Sequence, residues 1–125
     1  MYIIINSDLR ISTGKLCSQV GHAVEDIVIS CRGNKKRWNS YKNNGCAKIV
    51  LKADQQTFDE ILASSCKKFI VTDAGKTECL EGTITAIGFE PMYDSEIPEI
   101  IKEWPAHGDV TLGQDYYLAP FYDYN

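Results

Sequence analysis

At 125 residues and 44% apolar composition, the chain is long enough for one domain with a proper core, and it lacks the apolar run of about 18 residues that a membrane span requires. Its five cysteines are odd in number and form no Cys-x-x-Cys pair, which argues for reduced thiols in a cytosolic protein; with only His22 and His107 beside them, no metal site is expected. The net charge of −4 argues against a nucleic-acid partner until its distribution is read: Arg32, Lys35, Lys36, Arg37, Lys42, Lys48 and Lys52 lie between Ile27 and Ala53 with no acid among them, whereas from Thr77 onward Lys102 is the only base among ten carboxylates.

Tyr2 to Asn6 is a β-branched run with no basic segment before it, and reads as a strand buried on both faces rather than a signal peptide. Ser7 to Thr13 is a loop, and a helix follows to about Cys31, stopped by Gly33-Asn34. Lys35 to Lys42 predicts a short polar helix, Cys46 to Lys52 a second strand, and Asp54 the cap of a helix running to about Ser65. Phe69 to Thr72 is the third strand and Thr83 to Phe89 the fourth, broken by Glu90-Pro91. Ser95 starts a last helix through about Glu103, which Trp104-Pro105 ends. The order β-α-(α)-β-α-β-β-α predicts an α/β layered domain. Helical connections allow the first three strands to run parallel, and the short connection from Thr72 to Thr83 makes the fourth antiparallel.

The first helix has two faces. Leu16, Val20, Ala23, Val24, Ile27, Val28 and Cys31 recur as a buried stripe, with Cys17 read as core beside it. Lys15, Gln19, His22 and Asp26 form a second, polar stripe. A lysine in the first turn opposes the helix dipole. With Ser12 or Thr13 as cap and Gly14 opening the backbone, it suggests an anion site, against which a solvated lysine and ordinary helix-start chemistry compete. A Walker A loop is excluded, because Leu9 and Leu16 stand where Gly and Ser or Thr are needed.

Asp73 directly follows a buried strand, with Gly75 permitting a tight turn and Thr77 four residues on. Alone this reads as turn capping. If the strands are parallel, Lys15 and Asp73 share the sheet edge where ligands collect. The basic segment around Lys35, Lys36 and Arg37 suggests a patch for a polyanion, with Trp38 and Tyr41 available to stack on bases; the competing reading is a solvated basic loop.

Asp8-Leu9, Gly14-Lys15 with Gln19 and His22-Ala23, Thr72-Asp73-Ala74-Gly75-Lys76-Thr77-Glu78, and Gly82-Thr83 with Ala86-Ile87-Gly88 together resemble the type 2 peptidyl-tRNA hydrolases of archaea and eukaryotes, over roughly Tyr2 to Lys102. The resemblance implies a three-layer α/β/α fold with a four-stranded mixed sheet, its last strand antiparallel. It also implies hydrolysis of the ester joining a peptide to the terminal ribose of tRNA, without a metal; no cofactor is expected, and the cysteine and hydropathy patterns place the protein in the cytoplasm and away from membranes. Its active-site positions map onto Lys15, Gln19, His22, Asp73 and Thr77. Of these, Asp73, directly or through Thr77, is expected to orient or deprotonate water, Lys15 to hold the oxyanion or the tRNA end, and His22 to be the alternative base. Gly14, Gly75, Lys35, Lys36 and Arg37 are assigned to substrate binding. Lys76 and Glu78 depart from the Arg and Gln common in the family. A homodimer is left open, and an idle RNA- or protein-binding module on the same fold is the alternative function. The catalytic domain is expected over residues 1–104, followed over 105–125 by an aromatic extension whose Tyr117, Phe121 and Tyr122 dock on an apolar surface of the protomer or its dimer mate, the competing reading being a lid that stacks on the terminal adenine.

Overall fold

A computed structural model describes residues 1–102 of the chain. Strands β1 (Tyr2–Asn6), β2 (Ile49–Ala53), β3 (Phe69–Thr72) and β4 (Ile84–Phe89) form one sheet in the order β2-β1-β4-β3. β1 and β2 pair in parallel, and β4 runs antiparallel to β1 and to β3, so the first three strands point the same way. Helices α1 (Thr13–Cys31) and α2 (Lys35–Asn43) cover one face of the sheet. On the other lie α3 (Gln55–Ala63) and the short α4 (Glu99–Lys102). The fold is therefore a three-layer α/β/α domain on a mixed sheet, as the sequence implies. Among the described residues, no helix is long and apolar enough to cross a membrane.

The period of two along β1 divides the core. Ile3 and Ile5 join Ala23, Ile27, Val71 and Ala86 under α1, while Ile4 joins Leu51, Phe58, Ile61 and Ile87 under α3. Gly88 lies opposite Ile3 on β4, and a Cβ there would stand 2.6 Å from Ile27 Cδ1. The missing side chain is what lets α1 lie close on the sheet.

Side-chain caps fix the helix starts. Ser12 Oγ accepts from Lys15 N, Asn34 Oδ1 from Arg37 N and Asp54 Oδ1 from Thr57 N, at 3.2, 3.1 and 2.8 Å.

Four local expectations are corrected. β2 begins at Ile49 rather than Cys46, because Gly45 and Cys46 both adopt positive φ (79° and 55°) in the turn that closes α2. The last helix is split: Asp94–Glu96 is a 3₁₀ turn and α4 starts only at Glu99, since Pro98 holds Ile97 extended (φ −68°, ψ 124°). Gln19 belongs to the buried stripe of α1, which runs through Gln19, Ala23, Ile27 and Cys31 in steps of four. Cys17 lies about 200° round the helix from Gln19 and is exposed, not core. The aromatic extension, with Tyr117, Phe121 and Tyr122, lies outside the described residues.

Candidate active site

The carboxyl ends of β1 and β3 fall on the same edge of the sheet, and the loops leaving them build the site. Buried Asn6 ends β1; its Nδ2 donates to Gln55 Oε1 (2.8 Å) and its Oδ1 accepts from Asp8 N (3.0 Å). Ser7 donates from N and Oγ to Ala53 O (2.8 and 3.0 Å), and Gln55 N donates to Asp8 Oδ2 (2.8 Å). These bonds fasten the loop to the end of β2 and the start of α3. The loop then delivers Ser12 and the first turn of α1.

The loop after β3 closes on itself. Asp73 N donates to Thr83 O and Gly82 N to Asp73 O, both at 2.9 Å. Asp73 Oδ2 accepts from Gly75 N (2.8 Å), a turn that Gly75 completes at φ 74°. A Cβ on Gly75 would approach Glu81 N to 2.6 Å, so the loop doubles back only around a glycine. The turn leaves Asp73 Oδ1 facing α1.

There Lys15 Nζ is ion-paired with Asp73 Oδ1 and donates to Thr77 Oγ1 at 2.7 Å. The Lys15 and Asp73 side chains are only 13% and 3% exposed. Hydrogen bonding from Lys15, reinforced by the Gly75 N–H, holds the Asp73 carboxyl below its ordinary pKa. An ammonium carries three N–H donors, and two are engaged here, so one remains for a ligand at the opening. Thr77 Oγ1 accepts from Lys15 and keeps its hydrogen and a second lone pair.

One turn further along α1, Gln19 is buried below Lys15, and its Oε1 accepts from Thr85 Oγ1. Thr85 reaches α1 through a β-bulge: Val71 pairs with Ala86 and Thr72 with Ile84, so Thr85 is skipped in the strand register and its hydroxyl lies between Gln19 Oε1 and Val71 O. Nothing in a lone Thr-Ala pair signals a bulge, and Thr85 is invisible to sequence reading.

Of the residues expected at the site, Lys15, Asp73 and Thr77 meet in one group, with Gln19 beneath it. Gly14 sits in the same first turn, and the space where a Cβ would stand is open. Gly75 shapes the loop. His22 is exposed about 10 Å further along α1 and, among the described residues, makes no hydrogen bond or ion pair with the group. Glu78, noted in the sequence only as a departure, binds Ser12 at the helix start.

Lys35, Lys36 and Arg37 lie beyond the far end of α1, which is about 28 Å long. Lys35 and Lys36 are exposed. Arg37 is engaged: it donates to Glu96 through NH1 and NH2 (2.7 and 2.8 Å) and to Pro91 O, and its guanidinium lies 5.4 Å from the Tyr93 ring centre. That bidentate bond raises the Arg37 pKa and holds Glu96 down to about 2. Trp38 and Tyr41 pack on each other with ring centres 5.6 Å apart, Tyr41 is buried, and its hydroxyl donates to Cys46 O. Buried Tyr41 has no open ring face for the stacking on bases expected of it, and half-buried Trp38 packs against the same core. A cavity of about 300 Å³ opens at this end, between Tyr2, Arg37, Tyr41 and Tyr93, far from Lys15.

A family model described as peptidyl-tRNA hydrolase PTH2 matches residues 1–106. A peptidyl-tRNA hydrolase of Saccharolobus islandicus (strain L.S.2.15) is 38% identical over 124 residues, covering 90% of this chain and 97% of its own length. One from Saccharolobus solfataricus is 33% identical, covering 80% and 92%. One from Nanoarchaeum equitans is 35% identical, covering 78% and 90%.

Proposed function

Since the chain belongs to the peptidyl-tRNA hydrolase PTH2 family and hydrolyses peptidyl-tRNA, we propose that the Lys15–Asp73–Thr77 group is where the ester is cleaved. A water lodged between Thr77 Oγ1 and Asp73 attacks the ester carbonyl, and Asp73 takes the proton that the water loses. The free N–H of Lys15 and the unpaired first-turn N–H of Gly14 meet the oxyanion that develops. Collapse of the tetrahedral intermediate breaks the bond to the ribose oxygen, which recovers the proton from Asp73. Free peptide and tRNA result.

The low pKa of Asp73 makes it a weak base, and the division of labour follows from that. An ester is already activated, so positioning and charge stabilisation carry most of the rate, with Asp73 fixing Lys15 as much as it moves a proton. Gln19, locked by Thr85, braces the helix turn below Lys15.

The RNA's phosphates near the ester meet Arg10 and Lys76, exposed cations on the two site loops. Lys35 and Lys36 meet phosphates further along the molecule. The protein acts in the cytoplasm, where its five free thiols stay reduced.

The observation that carries this reading is Lys15 Nζ held between Asp73 and Thr77. Peptide release from peptidyl-tRNA by Asp73→Asn and Lys15→Ala tests it. Loss in both supports the assignment, and ordinary turnover in either folded variant refutes it.

A further inference from the structure

The tip of the 73–83 loop has to be held against α1 for Thr77 to meet Lys15, and the bonds at its base do not reach that far. Asp73 N to Thr83 O and Gly82 N to Asp73 O close the neck, and Thr83 donates to Leu80 O from both N and Oγ1 (3.1 and 2.7 Å). The bonds from the tip to α1's start come from two adjacent residues. Thr77 receives Lys15 Nζ, and Glu78 binds the cap: Ser12 N donates to Glu78 Oε1 at 2.7 Å and Ser12 Oγ donates to Oε2 at 2.6 Å.

Those two bonds do more than anchor a loop. Because the Ser12 hydroxyl proton is directed at Glu78, the lone pairs of Oγ are left for Lys15 N, which donates to it at 3.2 Å. The carboxylate thus orients the cap that starts the turn bearing Lys15. α1 has no acidic residue of its own in its first turn, so Glu78 supplies from the loop the negative charge that a helix N-terminus favours. The neighbouring charges are Lys15, which attracts it, and Asp73, which opposes it.

We propose that Glu78 is a positioning residue for hydrolysis: by clamping the loop tip to the Ser12 cap it sets Thr77 and Asp73 against Lys15. It rests on the reading of Lys15, Asp73 and Thr77 as the reacting centre. Glu78 itself touches no reacting atom. The effect is felt in the chemical step rather than in binding, since misplacing reacting groups by about 1 Å reduces turnover by up to about 100-fold.

Steady-state release from peptidyl-tRNA tests this with Glu78→Ala, Glu78→Gln and Ser12→Ala. Glu78→Ala should lower kcat by about 10- to 100-fold with KM changed by less than about threefold. Glu78→Gln should recover most of the loss, because its amide oxygen still accepts from Ser12 N. Ser12→Ala keeps the backbone arm but also removes the helix cap, and Glu78→Ala with Ser12→Ala should cost less than the two single losses multiplied together. An unchanged kcat in Glu78→Ala overturns the proposal, as does a Glu78→Gln variant as impaired as the alanine. If Glu78→Ala does not fold, Glu78→Gln and Ser12→Ala decide: the proposal stands only if Ser12→Ala has the lower kcat at unchanged KM. Lys15→Ala and Asp73→Asn run alongside separate the two ideas. Their inactivity beside an unimpaired Glu78→Ala sinks the clamp alone, and their full activity sinks the site itself.

Discussion

Lys15, in the first turn of α1, is ion-paired with Asp73, the first residue after β3, and the two side chains close a site from distant parts of the sequence. Neither is placed by the other's element, so the pair reports the packing of α1 on the sheet edge. Lys15→Ala should lower peptide release by about 10²–10³-fold as an oxyanion donor, and Asp73→Asn by about 10²–10⁴-fold as base and anchor. Because each acts through the other, the double variant should be little worse than the poorer single. Multiplied losses in the double variant would show that the pair does not act as a unit.

The pH dependence separates Asp73 from His22. Asp73 is held below its ordinary value of 3.8 by Lys15 and the Gly75 N–H, so its carboxylate stays ionised through the neutral and mildly acidic range. Release should therefore stay flat across the neutral and mildly acidic range. His22→Ala should reduce kcat by less than about threefold, given its place two turns beyond Lys15. A pH-dependent limb in that range that is lost in His22→Ala would move the base role to the histidine.

Much of this was legible because the relevant signals are local. The β-branched run of β1, the Asp54 cap and the Gly33-Asn34 stop each announce an element, and chain direction alone brings Lys15 and Asp73 to one edge. Gln19 was not legible as buried, because a polar amide enters a core only when a partner waits there, and that partner, Thr85, depends on a bulge between strands. Arg37 looked like one more free cation until Glu96, on a segment brought alongside by the fold, claimed both ends of its guanidinium. Pro98 was in plain view, and the split it forces at Ile97 follows from ordinary sterics.

The close approach of α1 to β4 gives a packing test independent of the chemistry. Gly88→Ala drives a methyl to 2.6 Å from Ile27 Cδ1 and should destabilise the domain by about 1–3 kcal/mol. Ile27→Val removes that Cδ1 and alone costs about 0.5–1.5 kcal/mol. Together they should be less destabilising than their sum, read from urea midpoints. Strict additivity would mean that the two groups do not meet.

Glu96 gives a stability dependence with a defined sign. Its ordinary pKa is 4.5 and Arg37 holds it down to about 2 in the fold. A depressed folded pKa stabilises above the unfolded value, and the stabilisation is lost as pH falls through the folded one. Wild type should therefore exceed Glu96→Gln in urea midpoint at neutral pH, with the gap narrowing below about 4.5 and closed near 2. A constant gap down to that pH would remove the carboxylate's charge from the explanation.

The basic residues beyond α1 divide into two roles that salt can distinguish. Lys35 and Lys36 are exposed on α2's first turn, where a phosphate can displace their hydration at little structural expense. Arg37, one residue on, is bound to Glu96, Pro91 O and the Tyr93 face, and a phosphate would have to break those bonds first. Each lysine that neutralises a phosphate adds about 0.9 to the slope of log affinity against log salt on a duplex. Lys35→Ala with Lys36→Ala should therefore flatten the tRNA-binding slope by about two, with the urea midpoint unchanged. Arg37→Ala should do the reverse, leaving the slope alone and lowering stability by about 1 kcal/mol, a modest figure because Glu96 is partly open to solvent. A slope that drops with Arg37→Ala and not with the lysines would put the RNA on the Arg37 side of α2 and make its ion pair with Glu96 a contact the substrate replaces.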